Sequence, residues 1–424
     1  MKINWSGFSK KTYPERLKTL RDSDLLSHEL QENLEKNETL SVAIADQLSE
    51  NVVGTFSLPF SIVPEVIVNN QAYTVPYVTE EPSVVAAASF ACKIINRSGG
   101  FSAYVHQRLM IGQVALYQVP DREQACQEIL NQKDQLLKIA NQAYPSIVKR
   151  GGGARELRVE KVSGQTDFLV VYLHVDTQEA MGANMLNTML EALKPHLESL
   201  SRGQSLMGIL SNYATESLVT SSCRIAFHYL SPNKDEAREL ANKIVLASHF
   251  AQADPYRAAT HNKGIFNGID ALLIATGNDW RAIEAGAHAY ASRDGLYRGL
   301  SLWTLDSEKE ELIGEMTLPM PIATKGGSIG LNPRVVLSHE LLGQPSAKDL
   351  AQIIVSMGLA QNFAALKALV GAGIQQGHMK LQAKSLALLA GAKEAEVPKL
   401  VEGLIAEKTF NLEKAKSILE ALRS

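Results

Sequence analysis

The chain has 424 residues, of which 45% are apolar and 21% charged, with a net charge of −3. So long a chain rarely builds one core, so we expect two or three domains. The charge balance and the lack of a basic stripe argue against a nucleic-acid partner. The three cysteines, Cys92, Cys126 and Cys223, form no CxxC pair, which predicts a reduced compartment without structural disulfides.

No apolar run is long enough to cross a membrane, and the N-terminal residues lack the apolar core of a signal peptide. We therefore expect a cytoplasmic protein with no membrane partner. The ten histidines are scattered, with no HxxxH pair and no thiolate cluster beside them, so no metal site is expected.

The first third of the chain predicts helices around a turn-rich stretch. Leucine, glutamate and lysine recur at helical spacing over residues 10–50, which predicts two or three amphipathic helices. An apolar stretch containing Pro59, Pro64 and Pro76 follows. The sequence EPSVVAAASF at residues 81–90 then predicts the start of a helix with Pro82 in its first turn.

Residues 107–215 alternate predicted strands and helices. We expect strands at 113–119, 154–162, 167–175 and 205–210, and helices at 121–143 and 179–200. Asp121 is the predicted cap of the first helix. The order β-α-β-β-α-β is that of a ferredoxin-like unit, here inserted between helix-rich segments.

The rest of the chain is mixed and then helical. A strand is expected near 224–230, with helices over 235–251 and 347–370, and residues 379–424 predict a terminal helical module interrupted near Gly391 and Pro398. The predicted fold class is α+β. The predicted boundaries are 1–106 and 216–370 for a large mixed helical and sheet domain, 107–215 for the ferredoxin-like domain, and 371–424 for the terminal module.

Residues 254–291 concentrate polar and charged side chains among glycines and small apolar residues. Lys263 stands between Asn262 and Gly264, where we expect a sharp turn. It is either a fixed cation for a developing oxyanion or a solvated surface lysine. Asp279 is either a helix N-cap or a hydrogen-bond partner of Lys263 in an enclosed site.

Other residues outside this segment allow two interpretations each. Of the adjacent Glu80 and Glu81, at most one can face a site, where burial near other carboxylates would make it an acid; alternatively, both complement a helix dipole. His378 is either a mobile proton donor for a leaving group or an ordinary loop histidine. Residues 151–153, Gly-Gly-Gly, are either a close backbone approach to a ligand or a flexible turn. The GxGxxxG spacing at residues 371–377 is not a dinucleotide fingerprint.

Together these segments resemble the soluble, class II bacterial form of 3-hydroxy-3-methylglutaryl-coenzyme A (HMG-CoA) reductase. The motifs that carry the resemblance follow one another along nearly the whole chain: ENVVG (50–54), EEPS (80–83), EAMGAN (179–184), DPYRAATHNKG (254–264), GNDWRA (277–282) and GHM (377–379). The resemblance implies reduction of the HMG-CoA thioester by two successive hydrides from NAD(P)H. Mevaldyl-CoA and mevaldehyde would be intermediates, and mevalonate and coenzyme A the products.

The resemblance also implies catalytic roles for four residues. Lys263 would stabilise the oxyanion formed at each hydride transfer, and Glu81 would donate the proton at the aldehyde step. Asp279 would link Lys263 and Glu81 in one hydrogen-bond network. His378 would protonate the departing thiolate of coenzyme A.

Substrate, cofactor and partner contacts follow from the same resemblance. Ser83 and Arg257 would hold the free carboxylate of the HMG group, and Asn212 would contact substrate near the reacting carbonyl. The inserted domain would bind the cofactor through a loop that includes Glu179, Met181, Gly182 and Asn184. The chain would form a homodimer, or a dimer of dimers, with the active site at the interface and the terminal module as a flap.

One departure bears on the cofactor. Some NAD-preferring class II enzymes have an aspartate where this chain has Tyr144, and Lys149 and Arg150 lie nearby. Without that carboxylate a 2′-phosphate is not repelled, so we predict NADPH, with NADH as the alternative. NADPH favours mevalonate synthesis for isoprenoids, and NAD would favour mevalonate degradation. Another NAD(P)-dependent dehydrogenase on this scaffold, and a non-catalytic coenzyme A-binding protein, remain the rival interpretations.

Overall fold

The computed structural model describes residues 3–371, 383–407 and 409–423. Within them, two β-sheets organise a large and a small domain. The large sheet has the strand order β2-β1-β3-β8-β10-β9. Its strands are β1 (Phe60–Val68), β2 (Gln71–Val78), β3 (Phe101–Val105), β8 (Leu218–Ala226), β9 (Ser301–Asp306) and β10 (Glu311–Pro319).

The small sheet is antiparallel throughout, with the order β5-β6-β4-β7. Helices pack on one face of it, and their buried leucines and isoleucines form a core separate from that of the large domain. Its elements are β4 (Met110–Tyr117), α5 (Arg122–Asn131), α6 (Lys133–Ala143), α7 (Pro145–Lys149), β5 (Gly153–Val162), β6 (Phe168–Asp176), α8 (Ala183–Ser201) and β7 (Gln204–Ser211).

Several helices contact the large sheet, and three helices precede it in the chain, as predicted for residues 10–50. The helices are α1 (Tyr13–Arg21), α2 (His28–Glu35), α3 (Val42–Leu48), α4 (Val84–Asn96), α9 (Lys234–Ala253), α10 (Pro255–Ala275), α11 (Trp280–Ala291), α12 (Pro333–Leu341) and α13 (Ala347–Val370). Short 3₁₀ helices lie at Phe8–Lys10 and Phe227–Tyr229.

Helix α13 is the core helix of the large domain and spans the predicted residues. The prediction from unbroken apolar runs did not single out this helix, which by length and composition could cross a membrane, but 72% of its most apolar window is buried inside the protein. Its N-terminus has a capping box, in which Ser346 and Asp349 bond each other's backbone amides.

The hairpin of β1 and β2 lies where the sequence predicted only a turn-rich stretch. Its prolines concealed the strands, because Pro64 falls at a register shift in β1 and Pro76 lies in β2, an edge strand. Asn69 and Asn70 both have positive φ, 50° and 65°, as a two-residue hairpin turn requires.

The chain crosses between the two sheets twice, and the crossing segments bond to each other. The amide of Leu109 donates to the carbonyl of Glu216 at 2.9 Å, and that of His106 to Leu218 at 3.0 Å. The hydroxyl of Ser217 donates to the carbonyl of Leu109 at 2.8 Å. The hinge between the domains is therefore a paired double strand.

The C-terminal module has a core of its own, which includes Leu400, Leu404 and Leu419. Residues 383–389 are helical, and the helices α14 (Val397–Ala406) and α15 (Leu412–Arg423) follow. Gly391, at φ 86°, separates the first two helical stretches, and Pro398 lies in the first turn of α14.

Several predicted element boundaries were wrong. Helix α4 begins after Pro82, because Ser83 adopts a left-handed conformation. The helix predicted over 121–143 is two helices with Gln132 between them, although Asp121 caps the first as expected. Residues 179–182 precede α8 rather than belong to it, and β8 lies earlier than the predicted strand at 224–230.

Candidate active site

Lys263 lies in the middle of α10, which runs unbroken from Pro255 to Ala275. The predicted turn at Lys263 was wrong, because Ile265 and Ile269 are fully buried at helical spacing and stabilise the helix through Gly264. The lysine therefore extends from a rigid element into solvent.

The ammonium of Lys263 contacts a carboxylate oxygen of Glu81, in the segment between β2 and α4. The other carboxylate oxygen accepts a bond of 3.5 Å from the side-chain amide of Asn267, one turn further along α10. The Lys263 and Glu81 side chains are 59% and 37% exposed, so a carbonyl entering from solvent can reach both. A cation and a carboxyl group in direct contact can stabilise an oxyanion and exchange a proton.

Two buried residues before Lys263 hold α10 in place. His261 shares hydrogen bonds with Ser301 at 2.7 Å and Asn362 at 3.1 Å, which join α10 to β9 and α13. Burial lowers the pKa of His261 to about 3, so the imidazole is neutral. Asn262 bonds the backbone of Arg298 and Leu300. The unusual polarity of this motif thus largely serves to fix the helix that presents Lys263.

Ser83 lies in the same segment as Glu81, and Arg257 lies on the same helix as Lys263. Ser83 has φ 78°, an unfavourable conformation for serine, and its buried hydroxyl has no hydrogen-bond partner among the described residues. Arg257 lies in the first turn of α10, where partial burial lowers the pKa of its guanidinium. In the described part of the chain neither side chain forms a hydrogen bond or an ion pair with Glu81 or Lys263.

Asp279 is the N-cap of α11. Its carboxylate accepts bonds from the Ala282 amide at 3.2 Å and from Arg281 Nε at 3.3 Å. Across the described residues it makes no hydrogen bond or ion pair with Glu81 or Lys263, so the hydrogen-bond network implied by the resemblance is not formed within one chain.

Asn212 lies against the same helix, since its carbonyl oxygen is 2.3 Å from where a Cβ on Gly286 would stand. His378 lies outside the described residues. The structure thus brings Glu81 and Lys263 together and places Asn212 beside the helix that Asp279 caps.

The expected cofactor residues gather at one end of the small sheet. Strands β6 and β7 both end there, and the glycines at 151–153 enter β5 at the same end. A Cβ on Gly152 would lie 2.5 Å from the Asp176 carbonyl oxygen, so close packing within the protein requires that glycine. Helix α8 has 19 residues and begins after Gly182 without a side-chain cap, which leaves amide groups that can bind a phosphate.

The side chains predicted to contact the cofactor differ in their surroundings. Lys149 and Arg150 are exposed beside the glycines, while Tyr144 packs on the small-domain core. Met181 also packs on that core, and Asn184 is exposed in the first turn of α8. Glu179 differs from all of these, because its carboxylate bonds to the large domain.

Sequence reasoning missed three residues at the site and around it. Asn267 could have been found, because it lies four residues after Lys263 and so shares its helix face. Arg108 and Thr324 gave no local signal, since their partners are distant in the sequence.

Comparison with known proteins identifies the family. The model of the hydroxymethylglutaryl-coenzyme A reductase family matches residues 12–383. The chain belongs to this family. A 3-hydroxy-3-methylglutaryl-coenzyme A reductase of Archaeoglobus fulgidus is 41% identical over 99% of this chain and 94% of its own length. A probable reductase of Borreliella burgdorferi is 33% identical over 88% of this chain and 86% of its own length.

Solved structures of Streptococcus pneumoniae reductases have the same fold. One superposes with a TM-score of 0.87 and 76% identity, over 99% of this chain and all of that chain. Another, a class II reductase bound to NADPH in open conformations, has a TM-score of 0.86 and 77% identity over 87% of this chain and all of that chain. The predicted class II resemblance and the mixed helix and sheet fold are confirmed.

Proposed function

We propose that the chain is an HMG-CoA reductase that converts HMG-CoA to mevalonate and free coenzyme A with two NADPH. The observation that carries the proposal is the contact of Lys263 with Glu81 in a chain of this family. Bound NADPH would supply the hydride, so the chain's own residues need only bind, polarise and protonate the substrate.

The proposed mechanism uses Lys263 at both reduction steps and Glu81 at the second. The ammonium of Lys263 points at the oxygen of the thioester carbonyl and stabilises the negative charge that develops there. His378 protonates the thiolate of coenzyme A as it leaves. At the aldehyde step, Lys263 again stabilises the oxygen, and Glu81, in its protonated carboxylic acid form, supplies the proton that makes the alcohol and is left as a carboxylate. Arg257 is partly buried, and the Ser83 hydroxyl has no hydrogen-bond partner among the described residues; both features suit the binding of a substrate carboxylate.

The small domain suits a phosphorylated dinucleotide. The uncapped start of α8 provides amide donors for a pyrophosphate, and Lys149 and Arg150 provide exposed cations for a 2′-phosphate. The relative named as bound to NADPH supports this cofactor. A kcat/KM for NADPH above that for NADH is the expected result; an NADH advantage would favour the NAD-dependent, mevalonate-degrading direction instead.

We further propose a homodimer, or dimer of dimers, in the cytoplasm, with Asp279 completing the site across the interface. Exposed aromatic side chains next to site residues support an interface there, since Tyr256 is 89% and Trp280 40% exposed. Mixing two inactive variants, Lys263→Ala and Asp279→Asn, tests the shared site. Hybrid dimers recover activity only if the two residues come from different chains.

We propose that residues 1–106 and 216–370 bind the substrate, that residues 107–215 bind the cofactor, and that residues 371–424 form the flap. The direct test of function follows NADPH absorbance after adding HMG-CoA to the wild-type protein, with mevalonate measured in parallel. We expect HMG-CoA-dependent oxidation of about two NADPH per mevalonate. Absence of turnover would refute the function.

A further inference from the structure

Glu179 is bound to the large domain, although its loop follows strand β6 of the small sheet. Its carboxylate accepts hydrogen bonds from the Thr324 hydroxyl at 2.5 Å and from the backbone amide of Ala347 at 2.7 Å. Its carbonyl oxygen accepts from the amides of Thr324 at 3.0 Å and Lys325 at 3.3 Å. Ala347 is the first residue of α13, where a carboxylate is stabilised by the helix dipole.

Arg108, in the hinge, ties the same loop to the same part of the large domain. Its largely buried guanidinium donates to the carbonyls of Gln178 at 2.8 Å and Ala180 at 3.1 Å, on either side of Glu179. A third bond, of 2.6 Å, goes to the carbonyl of Ile322. The side chains of Arg108 and Glu179 thus join the hinge, the loop at residues 177–182 and residues 322–325.

Residues 322–325, which we call the connector, also hold the loop that carries Asp279. The side chain of Asn278 donates to the Ala323 carbonyl at 3.1 Å and accepts from the Ala323 amide at 2.7 Å. The expected cofactor loop and the expected catalytic aspartate therefore attach to one short segment, although they lie about one hundred residues apart in the sequence.

The geometry points to Glu179 as a positioning residue that holds the cofactor loop in fixed register with Asp279, rather than as a residue that binds the cofactor. This inference rests on the proposed function. It replaces the cofactor contact that the family resemblance implies for Glu179, because Thr324 and Ala347 both bond to one carboxylate oxygen, Oε2, and hold the side chain on the large domain. Cofactor affinity then depends on Thr324, a residue of the large domain that lies far from the loop in sequence.

A double-mutant cycle on NADPH binding tests the inference. One hydrogen bond of this kind is worth about a five- to tenfold change in affinity. We expect Glu179→Ala to raise the NADPH Kd and KM about tenfold, Thr324→Val about fivefold, and the double variant no more than Glu179→Ala alone. The KM for HMG-CoA should change less than about twofold. Glu179→Gln should stay close to wild type, because its amide oxygen still accepts both bonds.

Ser346→Ala is the matched control. It removes the other cap of α13 without touching Glu179, so its NADPH Kd should equal that of the wild type. If Ser346→Ala reproduces the loss, fraying of α13 explains the defect and the inference is wrong. It is also wrong if the effects of Glu179→Ala and Thr324→Val multiply, since Glu179 would then act independently of Thr324.

NADPH binding can be measured by the fluorescence of NADPH in the absence of HMG-CoA, so the binding test does not depend on the proposed activity. A wild-type protein that binds NADPH but does not turn over HMG-CoA would refute the proposed function and leave the cycle interpretable. Thermal unfolding of each variant verifies the fold, and Thr324→Val provides the decisive comparison if Glu179→Ala does not fold.

Discussion

Asp270, two turns after Lys263 on α10, should make the stability of the protein depend on pH. Burial, together with the charge and hydrogen bonding of nearby Glu284 on α11, raises the pKa of Asp270 from its usual 3.8 to about 8. One of its carboxylate oxygens is buried without a hydrogen-bond partner among the described residues. Asp270 therefore keeps its proton in the folded protein at neutral pH and loses it in the unfolded chain.

The perturbation is Asp270→Asn, which mimics the protonated acid and does not titrate. Between pH 4 and pH 8 the folded wild type binds one more proton than the unfolded chain, so its stability falls as pH rises through this window. A difference of one bound proton changes the free energy of unfolding by about 1.4 kcal/mol per pH unit. From pH 5 to pH 7 the variant should thus gain roughly 2–3 kcal/mol relative to the wild type, or about 5 °C in Tm.

The assay is thermal unfolding of both proteins, followed by circular dichroism at matched concentration over this pH range. Taking the difference between the two Tm curves cancels the titration of all other groups. Glu284→Gln should also reduce the pH dependence, because it removes the neighbouring negative charge. A Tm difference that stays constant from pH 5 to pH 7 would refute the reasoning, since Asp270 would then be ionised in both states.

Three further predictions concern catalysis and packing. Lys263→Ala removes the cation at the proposed oxyanion site and should lower kcat at least about 100-fold; near-normal turnover would contradict its role. His378→Ala should slow reduction of HMG-CoA more than reduction of added mevaldehyde, because only the thioester releases coenzyme A, and equal losses would argue against the leaving-group role. Gly314→Ala should cost about 1–3 kcal/mol of stability, measured by thermal unfolding, because its Cβ would lie 2.5 Å from the buried ring of Trp303.

The small domain could be predicted from the sequence because its signals are local. Alternating strands, the cap at Asp121 and helix-period leucines each act within a few residues. The hairpin of β1 and β2 was missed because prolines in an edge strand and at an irregular position resemble turn residues. At Lys263, the apolar face of α10 outweighed the turn tendency of Asn262 and Gly264, since burial contributes more than local propensity.

The candidate site was predictable only in part. The contact of Glu81 with Lys263 joins residues far apart in the chain, and the resemblance to a family, not their spacing, indicated it. From the sequence, Asp279 could be a helix cap or a partner of Lys263, and in the described chain it is the N-cap of α11. Glu179 was assigned to the cofactor from its motif alone, because bonds to Thr324 and Ala347 leave no trace in the local sequence.

The paired hinge has a consequence for how the chain is assembled. Because Leu109 and Glu216 are hydrogen-bonded neighbours, the entire small domain leaves and rejoins the large one at a single point. Because the two ends of the inserted domain lie side by side, bringing together the two parts of the large domain that flank it costs little chain entropy. The large domain can thus fold around its own core independently of the insertion, and Arg108 and Glu179 are two of the residues that join the inserted domain to it.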